Sequence, residues 1–357
     1  MVSRKQGKVT RYIVSVLVTC FTIYHLPFTI YCSFADESKF QPSGPFNIRN
    51  MMPMYMFYMQ MAPEKAETTQ KGRYSLDAGY HVANTIIKQH DPWPSWKPYN
   101  DLTYDLLIDT EVSRFYADIK YGLLDNLEVS VNIPLLDYSG GYLDSFIENF
   151  EDVFEAIKTP NAREDRPGDK YRFKVVHFGQ TVIDDLSEPS GIGEITLEAK
   201  YKVLEEKDYL PTISLRGGLK LPTASDEILG SDEIDYGVGV LLDKKLMDRL
   251  FLYINLNVIF IGKPDIIDKL NIDDYILSGL FGLEFFLTDR TSIILQAFGN
   301  TTIYDEGISA MDKDGAVLSV GFNHNFTKDI SWQIAMDENT NNATPDFGLL
   351  TSLKIRI

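Results

Sequence analysis

Between Ala117 and Leu135 the chain reads ADIKYGLLDNLEVSVNIPL, and its apolar and polar positions alternate. Phe115, Ala117, Ile119 and Tyr121 share one parity, and Arg114, Asp118 and Lys120 share the other. Beyond Leu-Leu-Asp-Asn, a tight-turn signal, Leu127, Val129, Val131, Ile133 and Leu135 alternate with Asn126, Glu128, Ser130 and Asn132. Side chains of a strand point alternately to its two faces. The stretch therefore predicts an antiparallel hairpin with one apolar and one polar face.

The same rhythm recurs along the chain. It starts with Leu76, Ala78, Tyr80 and Val82, returns with Ile195–Val203 and Ile213–Leu221, and continues to Phe347–Ile357. About twelve such strands are expected. Their connections alternate in length. Residues 123–126, 205–209, 244–249, 288–291 and 327–330 are short; 87–102, 137–190, 222–234, 261–273, 301–314 and 338–346 are long. Strands that cross a bilayer up and down give this asymmetry, with short periplasmic turns and long outer loops. Backbone groups in hydrocarbon must all be paired, so the sheet must close on itself. The expectation is an all-β chain: a transmembrane antiparallel up-and-down β-barrel, with tyrosines and phenylalanines near its strand ends as an interfacial girdle. Its last residue is Ile357 instead of the usual terminal aromatic.

Three stretches depart from alternation. Residues 1–35 carry Arg4, Lys5, Lys8 and Arg11 before an apolar run, and Ser33-Phe34-Ala35 offers a small–x–small cleavage site. That is the layout of a secretory signal peptide, with an uncleaved anchor helix as the rival. Residues 36–72 form a prelude in which Met51, Met52, Met54, Met56, Met59 and Met61 occupy both parities. A soft two-sided apolar run fits an enclosed segment: a plug, a cap on the periplasmic mouth or an extra strand of the 73–357 barrel. Copper(I) binding by these methionines is the weaker reading, because no His or Cys accompanies them. The third stretch, 137–190, is a long outer insertion. Phe146, Ile147, Phe150, Val153 and Phe154 make a helical stripe there, opposite Asp144, Glu148, Glu151 and Asp152. A further irregularity lies in the second strand, where Tyr104, Leu106, Ile108 and Val112 take even positions before the apolar parity turns odd. A bulge near Ser113 would reconcile the two phases.

Composition narrows the function. The net charge is −17, and removal of residues 1–35 makes it −21. So acidic a chain repels nucleic acid. Both cysteines, Cys20 and Cys32, lie in the signal segment, leaving no disulfide, thiol catalysis or cysteine zinc site. No cofactor or metal site is expected. The acidic runs Asp144–Glu155 and Asp312-Lys313-Asp314-Gly315 lack calcium-loop spacing and read as solvated faces.

Several motifs resemble a Gram-negative outer-membrane barrel family known as domain of unknown function 3187. They are Gly44-Pro45-Phe46 with Arg49-Asn50, Tyr121-Gly122-Leu123, Ser139-Gly140-Gly141-Tyr142-Leu143, Gly191-Ile192-Gly193-Glu194 and Leu219-Lys220-Leu221-Pro222-Thr223. More distantly, the chain is similar to outer-membrane transporters linked to aromatic degradation. The resemblance implies a barrel in the outer membrane after signal cleavage, and it implies no reaction. Lipid and lipopolysaccharide would surround such a barrel, the barrel-assembly machinery would insert it, and a small solute is its natural cargo.

The polar face supplies the candidate lumen residues. The acids are Asp77, Asp118, Glu128, Glu194, Glu198, Asp235, Glu284 and Asp337; with them stand His81, Arg114, Lys120, Lys200, Arg216, Lys220, Lys354 and Arg356. Opposed charges across an aqueous path would make a channel, with mixed signs predicting little ion preference. The alternative is a filled barrel in which these groups pair and leave no path. A closed structural barrel that binds a surface partner through 137–190 is the second function class. A lipid-modifying enzyme is the third; it needs an outward Ser–His pair near the outer rim. His324 has the outward parity but sits beside a short turn, and no G-x-S-x-G or H-E-x-x-H motif occurs.

Overall fold

The computed structural model describes residues 41–89, 106–141, 171–177, 179–207, 209–305 and 310–357. The signal segment, the Trp-containing loop after residue 89 and the helical stripe of the long insertion lie outside them.

Fifteen strands form one sheet among the described residues. They are β1 (Tyr74–Gln89), β2 (Leu106–Leu124), β3 (Leu127–Ser139), β4 (Arg172–His177), β5 (Gln180–Asp185), β6 (Ser190–Ile192), β7 (Thr196–Leu204), β8 (Thr212–Lys220), β9 (Asp235–Met247), β10 (Leu250–Phe260), β11 (Tyr275–Phe286), β12 (Thr291–Asn300), β13 (Gly315–Asn325), β14 (Ile330–Asn339) and β15 (Phe347–Arg356). Twelve of them close a ring. Each of β1 to β3 and β7 to β15 pairs with its neighbour in that series, and β15 pairs back to β1 from Ser75↔Arg356 to Asn84↔Phe347. Tyr74 and Ile357 exchange backbone hydrogen bonds at 2.9 and 2.8 Å, which fastens the seam at its end. The chain is thus an all-β, closed, twelve-stranded antiparallel barrel. The β4–β5 hairpin extends the ring beside the upper part of β2, and β6 lies against β3.

Alternation along each strand becomes inside and outside. Leu256 is 61% exposed and its neighbour Asn255 is 1% exposed; the outer face carries Val238, Phe281, Leu295 and Leu318, and the inner face carries Glu284, Asn323 and Gln333. Five short turns sit at one end of the ring and the long connections at the other, called here the short-turn and long-loop ends.

The second strand corrects one expectation. β2 pairs with β1 in unbroken register from Tyr74↔Tyr121 to Gln89↔Leu106, with no bulge near Ser113. Its register shift against β3 falls instead at Gly122/Leu124, beside the turn. Even positions point inward throughout. Leu106, Ile108 and Val112 are apolar because they join a hydrophobic core inside the barrel; Arg114 and Asp118, on the same face lower down, meet polar groups. The change of pattern marks a change in what fills the lumen.

Candidate functional site

Residues 41–72 run inside the ring. They form an ascending limb, the single-turn helix α1 (Pro53–Met56) with Pro53 at its start, and a descending limb that leads into β1. The segment lacks a regular ladder, so its backbone groups need partners from elsewhere. Inward side chains of the strands supply most of them, and the long connections supply others. On the ascending limb Glu284 accepts from Ser43 N and Gly44 N, Gln296 accepts from Phe46 N at 2.8 Å, and Gln333 donates to Gly44 O. At the top Asn50 donates to Asn300 and to Ala343 O, and Tyr304 Oη donates to Met54 O. Descending, Asp235 accepts from Met59 N at 2.7 Å, and Asn255 exchanges bonds with the backbone of Glu64. Asp243 then accepts from Ala66 N and Glu128 from Thr69 N. Only at Lys71, which bridges to Gly122, does the segment touch the ladder before β1.

The barrel wall is thinned where this segment passes. A Cβ on Gly218 would lie 2.3 Å from Met59 Cε, and one on Gly122 would lie 2.2 Å from the backbone oxygen of Gln70. Glycine gives the close approach at both places.

Two different environments result. Towards the long-loop end Met51, Met52, Met54, Tyr55, Phe57, Met59 and Met61 pack with Ile108, Phe173, Val175, Ile259, Ile276 and Tyr304 in one dry core. Phe57 stacks on Phe173 and Tyr55 meets Tyr304 edge to face. Burial pushes the Tyr55 hydroxyl up to about 12. On the ascending limb Phe46 and Ile48 pack against Ile294, Val317, Ala335 and Leu350.

Towards the short-turn end the lumen is charged. Glu64 is the node: its carboxylate lies 2.5 Å from Lys120 Nζ, 3.0 Å from Lys200 Nζ and 3.2 Å from Arg216 Nη1. Glu128 shares Lys200 at 3.0 Å, Asp118 lies 3.4 Å from Lys120, and Glu198 lies 3.7 Å from Arg216. Burial opposes the ionised form of Glu64, but its three cations outweigh burial and hold the carboxyl well below the usual range. Burial, then Arg356, draws the Lys65 ammonium down to about 8. A cavity of about 530 Å³ opens between the limbs and the β1–β3 wall, and its lining reaches the short-turn rim at Lys328, Asp329 and Arg356.

The candidate residues fall into small groups. Asp118, Lys120, Glu128, Glu198, Lys200 and Arg216 gather around Glu64. Lys220 joins Glu194 at 2.5 Å and Asp235 at 3.0 Å and donates to Phe57 O. His81 pairs with Asp337 at 3.0 Å, and Lys354 lies 4.0 Å from Asp77. Glu284 accepts from Tyr253 and Ser292 as well as from the segment. Arg114 donates to Asn132, and Arg356 donates to Lys328 O at the short-turn end. Glu64 and Arg49, two of the charged residues that the segment itself brings in, are absent from the candidates drawn from alternation, as are neutral Asn132, Gln296 and Gln333. His324 faces Thr291 beside a short turn. Among the described residues no group of three or more His, Cys, Asp and Glu is arranged to hold a metal ion.

A family model described as protein of unknown function (DUF3187) matches residues 22–357. No curated protein matches by sequence. The fold is similar to that of the COG4313 outer membrane channel from Pseudomonas putida F1, with TM-score 0.53 and 14% identity over 84% of this chain and 100% of that one. Weaker likenesses are the NanC porin (TM-score 0.42, 9% identity, 79% of this chain and 98% of that one) and the Ralstonia pickettii toluene transporter TbuX (TM-score 0.40, 9% identity, 89% and 96%).

Proposed function

The chain belongs to the DUF3187 family, and from the barrel it forms we propose a passive outer-membrane channel for small solutes that residues 41–72 close at rest. The outer face supports the membrane location. Large apolar side chains from Leu197 on β7 to Leu353 on β15 stand exposed around the ring, on strands long enough to cross hydrocarbon. Water would not tolerate so wide an apolar surface on a soluble monomer. Lipid and lipopolysaccharide are then its surroundings, and the barrel-assembly machinery its route there, after cleavage of residues 1–35.

One observation carries the channel reading: the segment that fills the lumen is held by side chains and not by the sheet. From Ser43 to Thr69 its backbone bonds to the wall end on carboxylates, amides, hydroxyls and cationic heads. Displacing it therefore leaves the twelve-strand ladder whole. The side chains it would uncover are the sixteen polar candidates, and they would line the path. No reaction is assigned to them, and the barrel is read as non-enzymatic.

A disulfide tests this. Ser214 Oγ donates to Ala66 O, so A66C/S214C joins the segment to the wall in a protein otherwise free of cysteine after residue 35. In planar bilayers the oxidised variant is expected to be silent and the reduced one to conduct in steps. Equal currents in both states would remove the segment as the closing element. Silence of wild type and of the reduced variant alike would favour a second reading, a closed structural barrel whose 137–190 insertion binds a surface partner. The dry core at the long-loop end favours that reading, because it seals the lumen on that side.

A further inference from the structure

Two arginines stand apart from the charge pairs of the lumen. Arg114, on β2, is 1% exposed, and Arg49 comes from the ascending limb. Both donate through Nη2 to one oxygen, Asn132 Oδ1, at 3.1 and 3.4 Å. Neither has an ion-pair partner among the described residues, and the buried Nη1 of Arg114 and Nε of Arg49 have no hydrogen-bond partner. The neighbouring carboxylates are engaged elsewhere: Glu198 with Arg216, Asp118 with Lys120. The Arg114 guanidinium lies 4.3 Å over the Tyr116 ring, which fixes its plane.

Two adjacent buried guanidiniums that share a single neutral acceptor repel one another, and burial deprives them of water. An anion between them removes both penalties. Arg49, Asn47 and Asn132 also line the 530 Å³ cavity that reaches the short-turn rim, and Arg114 meets that lining through its bond to Asn132. The lining of that cavity carries nine Lys or Arg side chains and seven Asp or Glu, a local positive surplus in a chain of net charge −17. Guanidinium forks match the planar carboxylate bidentately. The segment also contributes apolar Pro42, Pro45, Ala62 and Pro63 to the lining of that cavity.

We infer that Arg49, Arg114 and Asn132 form a binding site for a small organic carboxylate, whose charged head lies between the guanidiniums and whose apolar body lies along the prolines. The inference deepens the channel reading and rests on it for its purpose: the site would select anions inside the lumen, where mixed charges predict little preference. Because Arg49 rides on the inserted segment and Arg114 on the wall, a bound carboxylate also ties the one to the other.

Butyrate is the probe. In equilibrium dialysis against the full mature chain in detergent, radiolabelled butyrate is expected to bind saturably at one equivalent, without competition from butanol. R49Q and R114Q are each expected to weaken it at least tenfold. Heat-dependent gel mobility and protection of residues 41–72 from protease establish that each variant is folded with its segment seated. R49K, which keeps the charge and loses the fork, is expected to bind with intermediate affinity. No saturable binding to wild type, or undiminished binding to a folded R49Q, would overturn the site. Displacement by inorganic phosphate at the same concentration as by unlabelled butyrate would overturn its assignment to organic carboxylates. Bilayer currents of the same preparations separate the two ideas. A conducting barrel that binds no butyrate loses the site alone, and a silent barrel that binds it loses the channel alone.

Discussion

The two halves of the lumen hold one segment by opposite means. At the long-loop end Met51 to Met61 are fixed by dispersion and exclusion of water, with Met51, Met52, Met54 and Phe57 fully buried. At the short-turn end the same segment is fixed by charge, through Glu64 and its three cations. The dry core of the apolar half is made of uncharged side chains, so charge screening and mild acid leave it alone, and it depends on close packing instead. The charged half is directional, and it fails severely if one partner is removed. A seal that excludes water therefore lies at the end with the long loops, and a contact that answers to solution conditions lies at the end with the cavity.

The largest disturbance expected is Glu64→Ala. It removes the carboxylate that Lys120, Lys200 and Arg216 share, leaves them to Asp118, Glu128 and Glu198, and should weaken docking of the segment by about 3–5 kcal/mol. Protease should then cut within residues 41–72 while the barrel keeps its heat-resistant mobility on a gel. Met54→Ala strikes the other half. A cavity in the dry core should cost about 2–5 kcal/mol, and raised salt should not alter that loss, in contrast to the first variant. Equal salt dependence in both would abolish the distinction between the halves. Gly218→Val pushes the wall against Met59 and should cost about 1–3 kcal/mol through overpacking, read as a lower protease threshold for the segment.

Mild acid gives the smallest effect. The Glu64 carboxyl titrates at 4.5 when free and lower when docked. Its contribution is complete above pH 4.5 and declines as pH falls towards the docked value, at about 1.4 kcal/mol per pH unit. At pH 4 the docking is therefore expected to be weaker by about 1 kcal/mol, and Glu64→Gln should remove this dependence in a protease titration.

Much of the ring was legible because one physical rule, alternation, acts on every strand that separates two environments. Leu256 and Asn255 show it at adjacent positions. The rule failed at Leu106, Ile108 and Val112, where the inside is itself apolar; parity then reports a false bulge at Ser113 instead of a second interior. The run Met51–Met61 signals enclosure, but plug, cap and extra strand all satisfy it, since a two-sided apolar run names no partner. The polar face was read by type and not by task. Asp235, Glu128 and Glu284 could equally face water, and only the path of the segment turns them into acceptors for Met59, Thr69 and Gly44. Alternation does not mark Glu64 and Arg49 as lumen residues because their partners lie far along the chain; Lys120 is 56 residues from Glu64, and Asn132 is 83 from Arg49. Pairings of that range leave no periodic trace.

The ascending limb starts near Asn325 and Glu284, and the descending limb leaves past Gly122, so both limbs of the inserted hairpin stand at the same rim. A chain arranged in this way is a bight and not a thread. On the proposed gating it would leave the ring as a doubled loop, without drawing a free end through the pore and without a knot. Any pull on the stretch before Gln41 from the short-turn side would unzip the ascending limb first, one side-chain contact at a time, and reach the methionine bend last.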